Sequence, residues 1–334
     1  KTAYEMLRSL VGSEMCIRDR NYPLNVAFRK VAPALVAGNC AILKPSEIAG
    51  LSCMFLGKLA QDVGIPEGVF SVVTGDRETG AALVASPSVS MVSFTGSSLT
   101  GSKIMEASAP KLSQVALELG GKSAMVIFED TDIERAVEAT IKGCLTNGGQ
   151  ICTAHTRLIV QEGIKDELLT KLKNVLEKIP YCRDPITERE RGDRAWETGM
   201  TDVIQPVVSA SQHEKVLGFL NEAEAAGIEI YTGGGVPDPT AIENSGGYFI
   251  QPTILNNVPR DSDAWQKEIF GPVLSVRSFS SEEEAITEAN STAFGLASTV
   301  MSSDPAKAMR VANRIRAGAV FATSTGEGLL AEHP

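Results

Sequence analysis

The chain has 334 residues, of which 43% are hydrophobic and 22% charged, an ordinary composition for globular domains and enough for two cores. Its formal net charge of −10 argues against a nucleic-acid-binding protein, which would be expected to present a basic surface. The sequence contains no apolar run of the roughly 18 residues that a membrane-spanning helix requires.

Cysteines and histidines restrict the chemistry that the chain can carry out. The six cysteines are sparse and irregularly spaced, which favours reduced thiols of an intracellular protein over a disulfide framework. The three histidines form no cluster, so the sequence argues against a histidine-based metal site. No GxSxG segment occurs, and a serine hydrolase is therefore poorly supported.

Residues 1–20 differ in character from the rest of the chain. Their apolar positions are scattered and charged residues recur as far as Arg20, unlike the pattern of a signal peptide. The stretch resembles a translated sequencing-adapter sequence, and we expect it to be foreign to the protein. An ordinary N-terminal helix is the alternative. We therefore leave residues 1–20 out of the predicted fold.

From residue 21 to residue 120 the sequence alternates between helical and strand patterns. Apolar residues at helical spacing predict helices, and short apolar runs predict buried strands. In chain order, we predict helix 26–37, strand 40–43, helix 50–63, strand 69–73, helix 79–86, strand 90–94, helix 100–107 and strand 114–119. Such repetition favours right-handed crossovers in a parallel, doubly wound sheet.

After Gly120-Gly121, the best candidate for a domain boundary, the alternation begins again. In chain order, we predict strand 123–128, helix 133–144, strand 156–160, helix 164–179, helix 212–226, strand 249–254, strand 273–279, helix 282–289, strand 298–301 and helix 305–316. The charged segment 183–201 has few apolar residues and is predicted to be a loop.

The strongest local signal for chemistry is the segment NGGQIC, which runs from Asn147 to Cys152 directly after a predicted helix. Glycines let the backbone approach a ligand closely, and a backbone N–H near Cys152 could face a developing oxyanion. A buried structural cysteine on a loop is the commoner role of such a residue. The segment alone leaves both interpretations open.

Polar residues also stand at the ends of three predicted strands. Glu118, in ELGGKS, could open into the ligand crevice of the sheet and act as a general base, or could be an ordinary solvated glutamate. Gly96 and Ser97 lead into a helix whose N-terminal amides could bind pyrophosphate, although the segment is not GxGxxG. Lys44 and Glu47 could hold ribose hydroxyls, or could be surface charges.

Together these segments resemble the aldehyde dehydrogenase superfamily over residues 21–318. The motifs that carry the resemblance are, in order, NYP, AILKPSE, VVTG, FTGS, ELGGKS, NGGQIC, QPTI, EIFGPV and FGLAS. The sequences of the segments FEDTDIERAV and NGGQICTAHTR are most similar to the betaine-aldehyde and aminoaldehyde dehydrogenase branch. The resemblance implies an α/β fold, with a partial Rossmann-type NAD-binding domain at residues 21–120 and an α/β catalytic domain at residues 121–334. It also implies that both ends of the family's fold are missing.

The resemblance assigns a role to each matching residue. Cys152 matches the nucleophile that attacks an aldehyde, Asn21 the oxyanion donor, and Glu118 the base that activates water. Cofactor contacts are implied for Lys44, Ser46, Glu47, Gly75, Gly96, Ser97, Glu268 and Phe270. Because Glu47 would repel a 2′-phosphate, NAD is favoured as cofactor and NADP is possible. No metal is implied.

The same resemblance implies an aldehyde as substrate, betaine aldehyde or an aminoaldehyde, and a homodimer or homotetramer without nucleic-acid or membrane partners. We expect a cytoplasmic protein, with a plastid or peroxisome left open. The alternative is a catalytically inactive fragment or mis-assembled gene product, because both ends of the family's fold are missing and Arg20 stands where the family usually has an aromatic residue. A cysteine hydrolase would need a histidine base, and the family motif gives His155 no such role.

Overall fold

The computed structural model describes residues 12–17, 22–182, 203–242 and 246–324. Two sequence predictions, the oxyanion donor Asn21 and the loop at residues 183–201, lie outside the described residues. The chain divides into two units, Lys1–Gly120 and Gly121–Pro334, at the glycine pair. Within the described ranges, we find no helix with the length and apolar character needed to span a membrane.

The first unit is built on a five-stranded sheet in which all neighbouring strands run parallel. Its strands are β1 (Gly12–Ile17), β2 (Ala41–Lys44), β3 (Phe70–Val72), β4 (Val89–Thr95) and β5 (Gln114–Glu118). Its helices are α1 (Pro23–Val36), α2 (Leu51–Asp62), α3 (Arg77–Ala85) and α4 (Ser98–Ser108), with a 3-10 turn at Ala109–Lys111. The spatial order β3-β2-β1-β4-β5 reverses direction at β1, which is where open α/β sheets bind ligands.

Strand β1 corrects our treatment of residues 1–20. We exclude that stretch from the fold and name a helix as the alternative, whereas Gly12–Ile17 forms the central strand, parallel to both β2 and β4. A parallel ladder is made by backbone N–H and C=O groups, which this proline-free segment provides whatever its origin. The foreign origin of residues 1–20 stays a prediction.

Two apolar clusters hold the helices of the first unit onto its sheet. The first joins α1 and α2 to β2, and the second joins α3 and α4 to β4. Helix α3 begins two residues before the predicted position 79, because the Asp76 side chain accepts hydrogen bonds from the amides of Glu78 and Thr79 and so caps the helix. The sheet thus presents the ends of β2, β3 and β4 on a packed scaffold.

The second unit contains a seven-stranded sheet. Its strands are β6 (Ala124–Ile127), β7 (Arg157–Gln161), β8 (Glu229–Thr232), β9 (Thr253–Asn256), β10 (Val273–Phe279), β11 (Ala297–Met301) and β12 (Ala319–Thr323). Its helices are α5 (Ile133–Leu145), α6 (Glu162–Leu176), α7 (Ala210–Ala225), α8 (Asp263–Gln266), α9 (Glu282–Ala289) and α10 (Pro305–Ala312), with 3-10 turns at Thr146–Gly149 and Pro239–Ile242. The spatial order is β12-β11-β6-β7-β10-β9-β8.

Both faces of this sheet are covered. Along β6, Ala124 and Val126 contribute to one apolar cluster, and Met125 and Ile127 contribute to another. A parallel strand that is buried on both sides is expected to be apolar throughout, as β6 is. The loops that precede β6, β7 and β10 are therefore attached to a rigid layer.

The edge of the second sheet departs from the parallel arrangement of its other strands. Strand β8 pairs antiparallel with β9, so the sheet is mixed. We predict a strand at 249–254, but it begins only at Thr253, since Pro252 has no N–H to donate to a ladder. Strands β8 and β12 are absent from the prediction, because runs of only four or five residues give a weak signal.

Candidate active site

The NGGQIC segment forms a tight left-handed turn. Helix α5 ends at Leu145, and Asn147, Gly148 and Gly149 then adopt φ angles of +54°, +64° and +72°. A Cβ built on Gly149 would lie 2.2 Å from the carbonyl oxygen of Gly271, in the EIFGPV motif. Glycine at position 149 is therefore required both by the backbone conformation and by the close approach of a second motif.

Gln150 fixes the turn from inside. This side chain is buried, its Nε2 donates to the Asn147 carbonyl at 3.1 Å, and its Oε1 accepts from the Val208 amide at 2.9 Å. The Asn147 side chain donates in return to the Gln150 carbonyl at 3.3 Å. Cys152, two residues further on, is half-buried at the amino end of β7.

Three motifs that are distant in the sequence meet at Cys152. A Cβ built on Gly121, in ELGGKS, would lie 2.1 Å from the Cys152 carbonyl oxygen, so the two backbones are in direct contact. The Gly121 amide donates to Glu268 Oε1 at 3.1 Å, across 147 positions of the chain. The candidate nucleophile and the candidate ribose ligand therefore belong to one cluster within the second unit.

The loop that carries Glu268 is held by helix α7. Gln212, which is buried, donates from Nε2 to the carbonyls of Ile269 at 3.1 Å and Phe270 at 2.9 Å. Lys215 Nζ donates to the Glu268 carbonyl at 3.0 Å. Phe270 has a φ of +61°, which is uncommon for a residue with a large side chain. These bonds maintain the strained backbone beside the candidate cofactor contacts.

Sequence reasoning missed Gln212, although a signal was present. Gln212 shares a helical face with Val216, Leu220 and Ala223, and all four residues are buried. A polar residue on the apolar face of a helix must find hydrogen-bond partners inside the protein. Such a position therefore indicates a contact with a loop or a site.

Arg157 is a second missed residue, five positions after Cys152. The guanidinium is 3% exposed and donates to three carbonyls, those of Lys122 at 2.8 Å, Glu288 at 2.8 Å and Ala289 at 2.7 Å. The last two carbonyls lie at the carboxyl end of α9, where the helix dipole favours a cation. Arg157 therefore joins β7, the ELGGKS motif and α9.

Burial also sets the protonation of three groups in the second unit. Burial, with the positive Arg157 nearby, lowers the pKa of Lys122 to about 7. Burial raises the pKa of the Cys144 thiol to about 12, so Cys144 is protonated at neutral pH and unsuited to be a nucleophile. Burial lowers the pKa of His155 to about 4 and keeps its ring neutral.

In the first unit, the LKPSE and VVTG motifs share a cavity at the carboxyl ends of β2 and β3. The cavity has a volume of about 320 Å³ and is lined by Pro45, Ser46, Glu47, Gly50, Leu51, Met54, Thr74 and Gly75. Lys44 is buried, and its Nζ lies 3.4 Å from Glu47 Oε1 and 3.1 Å from the Pro45 carbonyl oxygen. An apolar floor with a charged rim suits a flat ring attached to a ribose.

Gly96, Ser97 and Glu118 form a second group in the first unit. The Ser97 hydroxyl accepts from the Thr100 amide at 3.3 Å and caps α4, while the Gly96 amide donates to the Glu118 carbonyl at 3.0 Å. We expect partial burial of Glu118 if it is a base, but its side chain is exposed. Successive side chains of β5 point to opposite faces of the sheet, and Glu118 lies on the exposed face.

The structure thus brings the predicted site residues together in three groups. In the second unit, Cys152 and Glu268 meet Gly121, and Phe270 lies on the loop that carries Glu268. In the first unit, Ser46, Glu47 and Gly75 line the cavity beside Lys44, and Gly96 and Ser97 lie beside Glu118. Among the residues that the structure describes, no cluster of three metal-binding side chains occurs.

The chain is similar to known proteins in both sequence and structure. A sequence profile described as the aldehyde dehydrogenase family matches residues 3–330. Aminoaldehyde dehydrogenase 1 of Pisum sativum, a peroxisomal protein, is 44% identical over 317 residues, which cover 95% of this chain and 60% of the relative. A chloroplastic betaine aldehyde dehydrogenase of Beta vulgaris is 42% identical with the same coverage.

Solved structures give the same result. Betaine aldehyde dehydrogenase from Staphylococcus aureus in complex with NAD+ is similar with a TM-score of 0.85 and 36% identity, covering 93% of this chain and 59% of that one. An NAD-dependent aldehyde dehydrogenase from Sinorhizobium meliloti has a TM-score of 0.84. The chain spans about 60% of the length of the curated relatives that it matches. The expected fold and the resemblance to the betaine-aldehyde and aminoaldehyde branch are confirmed.

Proposed function

The chain belongs to the aldehyde dehydrogenase family, and we propose that it oxidises an aldehyde to a carboxylic acid with NAD and with Cys152 as nucleophile. The observation that carries this proposal is the cluster formed by Cys152, Gly121 and Glu268. Cys152 is half-buried on a rigid turn, whereas Cys144 is buried and its pKa is raised to about 12. Cys152 is therefore the better candidate for a thiolate that can be reached by substrate.

The proposed reaction begins when the Cys152 thiolate adds to the aldehyde carbon. A new C–S bond forms, and the carbonyl oxygen becomes an oxyanion that the Cys152 backbone N–H can stabilise, with Asn21 proposed as the second donor. NAD, when bound, supplies the acceptor for the hydride that leaves this carbon. The product at Cys152 is then a thioester. We propose that Glu118 takes a proton from water, which attacks the thioester and releases the carboxylic acid and the thiol.

The residues present fit a dinucleotide. The cavity beside Lys44 and Glu47 could hold the adenosine, and the amino end of α4 at Ser97 could approach the pyrophosphate. In the second unit, the Glu268 carboxylate is oriented by the Gly121 amide and could accept hydrogen bonds from a ribose. A carboxylate at Glu47 favours hydroxyls over a 2′-phosphate, which supports NAD over NADP.

The proposed substrates are aldehydes with a cationic amino or trimethylammonium group. This choice is supported by the names of the relatives, which are aminoaldehyde and betaine aldehyde dehydrogenases. Assembly into a homodimer or homotetramer is also proposed. Our expectation of a cytoplasmic protein stays a prediction, and the plant relatives are named for the peroxisome and the chloroplast.

The test is NADH formation by the chain with betaine aldehyde and with an aminoaldehyde, followed by absorbance. Cys152→Ala should abolish NADH formation and keep NAD binding, while Cys144→Ala serves as the matched control and should keep most of the activity. Turnover by Cys152→Ala would disprove the assignment of the nucleophile. A folded wild-type chain that binds NAD but forms no NADH from either aldehyde would instead favour the alternative of a catalytically inactive fragment or mis-assembled gene product.

A further inference from the structure

The loop that carries Cys152 is anchored by a buried polar side chain on each side. Gln150 precedes Cys152 by two residues and ties the loop to Val208. His155 follows Cys152 by three residues, and only 1% of its surface is exposed. A buried imidazole so close to a nucleophile requires a physical role.

The His155 ring is attached to the interior of the sheet. Its Nε2 lies 2.9 Å from the Oγ1 of Thr299, a hydrogen-bond distance, and Thr299 is fully buried in β11. Thr299 lies opposite Met125 of β6 in the parallel ladder. His155 therefore ties the loop to β11, which is itself held by its ladder with β6.

His155 also contacts the helix that leads into the loop. Its amide donates to the Gly143 carbonyl at 2.8 Å, near the end of α5. A Cβ built on Gly143 would lie 3.3 Å from His155 Nδ1, so the ring packs directly on this glycine. His155 therefore connects α5, which enters the loop, with β11.

These contacts distinguish a positioning role from a role in proton transfer. Nε2 is occupied by Thr299, and Nδ1 is buried with no hydrogen-bond partner among the described residues. A histidine that served as the base of a cysteine hydrolase would need one ring nitrogen bonded to the thiol. The ring is neutral at physiological pH because burial disfavours the imidazolium.

We propose that His155 is a positioning residue for the nucleophile, and that its hydrogen bond to Thr299 fixes the backbone between Cys152 and Thr156. The proposal rests on the proposed function, in which the Cys152 sulfur must meet an aldehyde carbon. A displacement of a reacting group by about 1 Å can cost on the order of a hundredfold in rate. Loss of the bond should therefore reduce kcat rather than the affinity for NAD.

Matched variants separate the hydrogen bond from packing. Thr299→Val removes the hydroxyl at nearly constant volume, and Thr299→Ser keeps it. His155→Leu removes the ring nitrogens, whereas His155→Gln retains a polar group near the position of Nε2. For each variant, kcat and the KM for NAD are measured together with the melting temperature and the rate at which iodoacetamide alkylates Cys152, read by mass spectrometry of its peptide.

We expect Thr299→Val and His155→Leu to lower kcat at least about tenfold, with the KM for NAD changed less than twofold. Their Cys152 alkylation rates should change, and Thr299→Ser and His155→Gln should restore both quantities. Wild-type kcat in Thr299→Val, or equal impairment in Thr299→Ser and Thr299→Val, would overturn the proposal.

Alkylation needs no dehydrogenase turnover. If the wild type forms no NADH, the proposed function fails, and unchanged alkylation in Thr299→Val would show separately that positioning fails. If Thr299→Val does not fold, the comparison of His155→Leu with His155→Gln decides.

Discussion

Replacement of Gly121 by alanine would place one methyl group between two motifs of the candidate site. The added Cβ would lie 2.1 Å from the Cys152 carbonyl oxygen, whereas Cβ atoms practically never come within 3.0 Å of a non-bonded heavy atom. The backbone must therefore shift by roughly 1 Å. Gly121 does not have a positive φ, so crowding is the obstacle and backbone conformation is not.

A shift of this size has a calculable effect. Misplacement of a reacting group by about 1 Å costs on the order of a hundredfold in rate, or about 2.7 kcal/mol of transition-state stabilisation. Overpacking typically adds about 1–3 kcal/mol of destabilisation. We expect Gly121→Ala to fold with a lower melting temperature and to lose about 99% of kcat. The KM for NAD should rise as well, because the Gly121 amide holds Glu268.

The assay is NADH formation at saturating aldehyde, with the melting temperature measured in parallel. Gly218→Ala is the matched control, because a Cβ built on Gly218 meets nothing within 4 Å. This control should keep kcat and gain up to about 1 kcal/mol from the higher helix propensity of alanine. Wild-type kcat and wild-type melting temperature in Gly121→Ala would refute the packing argument.

Three further predictions concern charge and protonation. Glu47→Gln should raise the NADP-to-NAD ratio of kcat/KM by about tenfold, because it removes a carboxylate that repels a 2′-phosphate; an unchanged ratio would mean that selectivity lies elsewhere. Glu118→Gln should release a burst of about one NADH per site and then stall as the thioester accumulates, and steady turnover without a burst would identify another base. Burial lowers the pKa of His155 from 6.5 to about 4. The free energy of unfolding should therefore decrease by up to about 3 kcal/mol as the pH falls from about 6.5 to about 4. Urea unfolding at pH 7 and pH 4.5 measures this loss, which His155→Gln should diminish; the same pH dependence in both proteins would contradict it.

Elements with a strong periodic signal were predictable from the sequence. The bounds of β10 and α9 agree with the predicted 273–279 and 282–289, because a long apolar strand and a capped helix show their ends in the local sequence. The antiparallel edge strand β8 and the inclusion of Gly12–Ile17 were not predictable. Each of these strands forms only because a particular strand lies beside it in the sheet. The sequence of a short segment does not identify its pairing partner.

The sequence proposes a set of candidate site residues but not the contacts among them. NGGQIC alone leaves open a structural role for Cys152, and only the resemblance to a family implies the role of nucleophile. The contact of Gly121 with Cys152 is not visible in the sequence, because a glycine in a loop can serve flexibility or close approach equally well. Glu118 is exposed because it lies on the exposed face of β5, and one sequence does not reveal which face of a strand stays exposed.

The bonds made by Arg157 have a consequence for biosynthesis. Two of its three carbonyl acceptors, those of Glu288 and Ala289, lie 131 and 132 residues further along the chain. A ribosome that has just completed Cys152 has not yet made those acceptors, and contacts of such long sequence separation form late and slowly. The segment around Cys152 therefore cannot reach its final structure until α9 has been synthesised, although the Cys152 thiol is already present. During that interval, the nascent chain contains the proposed nucleophile Cys152 without the structure that holds it.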